Sequence, residues 1–165
     1  MDNRVREHAE VLVDWSARID EGDDVVVSVA EGAHELGVAV AEKLGAVGAN
    51  VLTTYGSAEL SRAYLQAHDG EFEAGDHELA LYENADSVLR LGGGRNATAM
   101  ADVAGETRQA YSRARTDLRE ARMATDWVST VHPTRSLAQQ AGMAHEEYRE
   151  FVYDAVLREI GRAHV

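Results

Sequence analysis

Two stretches of the chain gather residue types that could do chemistry. The first, His68-Asp-Gly-Glu-Phe-Glu-Ala-Gly-Asp-His77-Glu78, sets two histidines among five carboxylates, a donor set that suits a divalent cation. Its spacing is neither the His-x-x-x-His pair of a zinc helix nor the calcium loop of an EF-hand. It therefore reads first as a solvated acidic loop. The second, Gly92-Gly-Gly-Arg95-Asn96, follows an apolar run, and glycine-rich turns in that position can offer backbone N–H groups to an anion. It lacks the spacing of a Walker loop or of a dinucleotide fingerprint. In Ala30-Glu31-Gly32 a carboxylate stands where a pyrophosphate would lie, and Thr54-Tyr55 brings no acid for a ribose hydroxyl. A tight structural turn is the better reading of Gly92 to Asn96. The chain has no cysteine, which removes thiol nucleophiles, disulfides and zinc–thiolate sites together.

The elements that must position these residues follow from apolar periodicity. Val25, Val26, Val27 and Val29 form a β-branched run that suits a strand covered on both faces. Ala33, Leu36, Val40 and Leu44 then recur at helical steps, with Gly45 as the expected left-handed stop. Strands are expected near 24–30, 50–55, 87–91 and 126–131. The first should be interior, flanked by the second and third, because each crossover is short. An opening helix over 3–20 should turn Val5, His8, Leu12, Trp15 and Ile19 to one face, capped by Asp2 or Asn3 and ended by Gly22. On that face His8 reads as a core-edge residue rather than a ligand.

Ser57 is expected to cap a short helix to Ala67, with Leu60, Tyr64 and Ala67 aligned, and Asp76 to cap another through Leu79 and Tyr82. One long helix is expected from Gly105 to Met123, with Tyr111, Ala114, Leu118 and Ala121 inward. Its Arg108, Arg115, Arg119 and Glu120 read as a solvated, ion-paired face. Thr134 should cap a short helix ended by Gly142, and a last amphipathic helix carries Tyr148, Phe151, Val152 and Ala155. Strands alternating with helices give an α/β class: a mainly parallel four-stranded sheet with helices on both faces, a Rossmann-like three-layer arrangement.

Composition bounds the partners. A chain of 165 residues fits one domain, and at this size about 70% of the unfolded surface is buried. No apolar run is long enough to span a membrane and no signal peptide is visible, so a cytoplasmic location is expected. Asp and Glu number 29 against 16 basic residues, for a net charge of −13, and Lys43 is the one lysine. Such an acidic, lysine-poor surface holds water and hydrated cations and suits high salt, where self-repulsion is screened. No basic stripe is present to neutralise nucleic-acid phosphates.

The segment Val131-His-Pro-Thr-Arg-Ser-Leu-Ala-Gln-Gln-Ala-Gly-Met-Ala-His-Glu-Glu-Tyr-Arg-Glu-Phe goes further. It resembles the Pro-Thr…Ala-Gln-x-Ala-Gly-Met…Glu-Glu-(aromatic) block of the thermophilic-type metalloaminopeptidases, the aminopeptidase T and aminopeptidase S family. Leu12 to Ser16, Gly22-Asp-Asp-Val-Val-Val, Ala85-Asp86, Arg95-Asn96 and the Arg115 helix agree with that family's amino-terminal half. The family often has Ser or Thr after Gly-Met, where this chain has Ala144.

The resemblance implies a domain of an exopeptidase that removes N-terminal residues from peptides with two divalent metal ions, in an enzyme expected to be a homo-oligomer. Residues 1–157 then correspond to the amino-terminal α/β domain and 158–165 to a divergent tail. The family's metal-binding catalytic half is not represented. No catalytic residue and no metal ligand is assigned to any position, substrate-binding residues are left open, and the chain alone is expected to be inactive. Two other classes stay open: a small-ligand-binding α/β module centred on Gly92 to Asn96 and the sheet's switch point, and an assembly or regulatory piece that pairs with an intact aminopeptidase subunit.

Overall fold

A computed structural model of the chain describes residues 1–163, with side chains as far as Arg158; the side chains of the tail beyond that point lie outside the described residues. Four strands, β1 (Asp24–Ala30), β2 (Asn50–Gly56), β3 (Ser87–Gly92) and β4 (Asp126–Val131), form one sheet in the order β2-β1-β3-β4. Every pairing is parallel. β1 is therefore interior and flanked by β2 and β3, as its valine run and the short crossovers imply.

One face of the sheet holds the main core. Val25, Val27 and Val29 of β1 and Leu89 and Leu91 of β3 pack there against two helices, α1 (Asn3–Glu10) and α2 (His34–Val47). Val5, Ala9, Leu12, Leu36, Val40 and Leu44 supply the helical side. Tyr153 of the last helix, α8 (His145–Ala163), closes it. Alternation sends Val26 and Val88 to the opposite face, where they are buried as well. Helices α3 (Ala58–Ala67), α4 (Asp76–Glu83), α5 (Gly105–Ala114), α6 (Thr116–Met123) and α7 (Arg135–Gln140) complete the order. Among the described residues no helix is long and apolar enough to cross a membrane.

Several local expectations are corrected. The opening helix does not run to residue 20: after Glu10 it widens into a π-helical stretch, Val11–Ser16. The wider turn changes which residues share a face, so Val11 and Val13 are buried while Trp15 is 46% exposed. Arg18 then takes a left-handed φ of 51°, ending the segment before Gly22. Gly48 rather than Gly45 is the left-handed stop of α2, at φ 86°, and its N–H bonds the carbonyls of Leu44 and Gly45. Gly75, not Asp76, is the residue that caps α4.

The long helix expected over 105–123 is two helices broken at Arg115 (φ −96°, ψ 13°). There Thr116 Oγ1 donates to the Arg113 carbonyl at 2.8 Å, a local bond that competes with the helical ladder. On α3 the aligned Leu60 and Tyr64 are exposed, and it is Leu65 that is buried. On α8 Phe151 is exposed, while Val152 and Tyr153 face inward. The caps at Asp2, Ser57 and Thr134 are formed as expected, each side chain accepting a backbone N–H of the first turn.

Candidate functional site

The carboxyl ends of the strands meet at a crevice of about 310 Å³, lined among others by Ser28, Glu31, Ser57, Ser61, Arg90 and Ser129. Strand register accounts for the polar character of its floor. Thr54, Ser28, Arg90 and Ser129 are direct neighbours across the four strands, so one row of polar side chains crosses the sheet on the face away from the main core. The crevice lies beside the β1/β3 boundary, the place where open α/β sheets take ligands.

Gly92 to Asn96 borders this crevice, and the fold engages the backbone of the turn. The N–H of Gly32 donates to the Gly93 carbonyl at 2.8 Å and that of His132 to the Gly92 carbonyl at 2.7 Å. Thr134 Oγ1 donates to the Gly94 carbonyl at 2.9 Å. A Cβ on Gly32 would collide with the Gly93 oxygen, so glycine there is required by close approach. Glu31 lines the crevice and also a wider depression next to it, which holds Arg62, Arg95, Asn96 and Asp102. Arg62 is paired with Asp102, and Asn96 Oδ1 accepts from the Thr98 N–H at 3.0 Å. A carboxylate at the crevice mouth and a tied turn match a structural role better than a pyrophosphate cradle.

The acidic loop has a different organisation from a cation site. His68 stacks on Phe72, ring centroids 4.3 Å apart and planes 17° apart, and its Nε2 lies 3.1 Å from the Glu71 carbonyl oxygen. Tyr111 stands edge-on to Phe72 at 5.3 Å. Phe72 thus draws the loop onto α3 and α5. Glu78 at its end accepts two bonds from Arg115, at 2.5 and 2.9 Å. Among the described residues no group of three or more His, Asp or Glu side chains is gathered to hold a metal. Two divalent ions do not fit the donors that these residues present.

A buried polar cluster was only partly legible in the sequence. His8 is fully buried, with Nε2 2.9 Å from Thr130 Oγ1 on β4. His132 lies 3.8 Å from Glu35. Nδ1 of both rings and the Tyr153 hydroxyl are buried without a partner. Burial first, and then His132, lower the pKa of His8 to about 4; burial likewise lowers His132, opposed by Glu35. Burial thus favours the neutral form of both rings, and His8 is carried into the core on the apolar face of α1. Arg90 has a signal in the sequence as well: a charge in the middle of the largely apolar strand Ser87–Gly92.

The model of the family described as thermophilic metalloprotease (M29) matches residues 1–159. Among solved structures, the wild-type AmpT of Thermus thermophilus is similar over 94% of this chain and 43% of its own, at a TM-score of 0.74 and 20% identity. The CurK enoyl reductase is aligned over 96% of this chain and 48% of that one, at a TM-score of 0.36 and 11% identity, too loosely to bear on the fold. No curated protein matches the chain.

Proposed function

Since the chain belongs to the M29 family of thermophilic metalloproteases, we propose that it is the amino-terminal α/β domain of a metal-dependent aminopeptidase that removes N-terminal residues from peptides. The observation that supports this reading is the family match over residues 1–159, joined to a fold like that of AmpT, of which the chain spans 43%. In this proposal residues 1–157 are the domain, and the two divalent ions of the intact enzyme are held by its other half. The domain's part is to shape the approach to the peptide cavity and to support contacts between subunits of a homo-oligomer. A cytoplasmic setting is part of the proposal, and the net charge of −13 with one lysine supports a salt-adapted one.

The chain on its own is then inactive. Purified protein should turn over no leucyl or other aminoacyl amide with added zinc, cobalt or manganese, and calorimetry should find no tight two-ion site. Turnover that a chelator abolishes, from a preparation free of host peptidases, would overturn the inactivity of the chain and the placing of both ions in the other half. It would also make His68 and His77 the first residues to mutate.

A further inference from the structure

On the sheet face opposite the main core lies a second cavity, of about 290 Å³, in which Arg90, Arg115, Arg119 and Arg122 meet beside Tyr82 and Tyr111. Helical spacing brings three of them together, because positions 115, 119 and 122 share one face, and β3 supplies the fourth. Four of only 16 basic residues, in a chain with 29 acidic ones, therefore converge on one hollow.

Their charges are unevenly answered. Arg115 is paired with Glu78 through two hydrogen bonds, and its guanidinium lies 5.1 Å from the Tyr111 ring centroid, which holds it in place. Arg119 Nη2 donates to Ser112, to Oγ at 3.1 Å and to the carbonyl at 3.4 Å. Among the described residues no carboxylate comes within ion-pairing distance of Arg90, Arg119 or Arg122. The Nε of Arg122 is buried with no hydrogen-bond partner. Burial, then Arg90, then Arg119 and Arg115 all work against the charge on Arg122, with Tyr82 opposing.

Fold stability gives no reason for this arrangement. Like charges brought together repel, and a buried guanidinium N–H without an acceptor carries a desolvation penalty; Arg90, although exposed, adds a further charge from an interior strand. An anion in the hollow answers both the repulsion and the unpartnered N–H. Planar guanidinium forks match the oxygens of phosphoryl and carboxylate groups. Three positive charges remain after Glu78 has answered Arg115, which favours a doubly charged ligand over a single carboxylate. We propose that the cavity formed by Arg90, Arg119 and Arg122, with Arg115 held at its edge by Glu78, binds a compact dianion, a phosphoryl group or a small dicarboxylate. This does not rest on the peptidase reading, and its test has a different readout.

The test is calorimetric titration of the full 165-residue chain with sodium phosphate, succinate or acetate, at one ionic strength made up with sodium chloride. Saturable binding of phosphate or succinate at a single site is expected, and none of acetate. Phosphate without succinate assigns the site to phosphoryl groups, while equal binding assigns it to dianions generally. Arg90→Gln and Arg122→Gln should each weaken binding by about tenfold or more. Without ligand, and in molar sodium chloride where the net charge of −13 is screened, both should melt at or above the parent temperature, because the local repulsion among the arginines is relieved. The exposed Arg119→Gln gives the same test if either variant fails to fold. No saturable binding of either dianion, acetate binding as well as phosphate, binding unchanged in all the variants, or, in that molar salt, a lower melting temperature in every ligand-free variant would each overturn the proposal.

Discussion

His8 couples the fold to pH. Its ring stands edge-on to Tyr153, centroids 6.4 Å apart, and is bonded to Thr130 across the core. Burial and the neighbouring His132 lower its pKa from 6.5 to about 4. The folded ring resists a proton that the unfolded chain accepts, so between about 6.5 and 4 the unfolded state binds more protons. The stability contribution of the neutral ring is whole above 6.5 and is lost as the pH falls through that window. A shift of this size corresponds to a difference on the order of 3 kcal/mol, and His132, shifted in the same direction, adds to it. Denaturant unfolding from pH 8 to pH 4 should show this decline. His8→Gln should be less stable at pH 8 but clearly flatter across the window. An unchanged slope in the variant would assign the acid sensitivity to other groups.

The β1–α2 connection and the turn after β3 are joined backbone to backbone, the Gly32 N–H donating to the Gly93 carbonyl. Gly32→Ala would push a Cβ against the Gly93 oxygen and, at 2.8 Å, against Thr134 Cγ2, and would strain the Gly32–Gly93 hydrogen bond. Overpacking of this kind destabilises by about 1–3 kcal/mol, which in a domain of this size is a drop of several degrees in Tm. Thr134→Ala loses both the cap on Leu137 and the bond to Gly94. About 1 kcal/mol from the cap is expected, with some further loosening of the glycine turn. Thermal unfolding of the two variants checks both. A Gly32→Ala protein as stable as the parent would show that the turn can move aside.

The whole molecule is dominated by its charge. At −13 the compact state repels itself, and its ion pairs involve side chains at least partly exposed, worth little each. Screening acts on the long-range repulsion, since the Debye length falls from about 10 Å at 0.1 M to about 3 Å at 1 M. Tm should therefore rise steeply from dilute to molar sodium or potassium chloride, and part of the gain should appear with non-coordinating salts. A flat or falling Tm over that range would remove the salt-adapted reading. Both sheet edges are comparatively open as well: Val51, Leu52 and Tyr55 on β2 and Trp127 and Val131 on β4 are exposed.

The sequence by itself determined much of what depends on neighbours along the chain, though not the stop of α2 at Gly48 or the break at Arg115. Short β-branched and apolar stretches defined the four strands, and short crossovers defined their parallel order with β1 inside. Asp2, Ser57 and Thr134 could be assigned as caps because the bond each makes spans only two or three residues. Tertiary structure decided what depends on distant partners. His8 meets Thr130, 122 positions away, and the opening helix widens so that Val11 and Val13, not Trp15, reach the core. Phe72 settles against Tyr64 and Tyr111, which turns an acidic loop into a packed one. Arg90 and Arg122 line one hollow only because β3 and α6, distant along the chain, are brought together by the fold. Periodicity states which residues face inward; the packing of one element on another decides what they face.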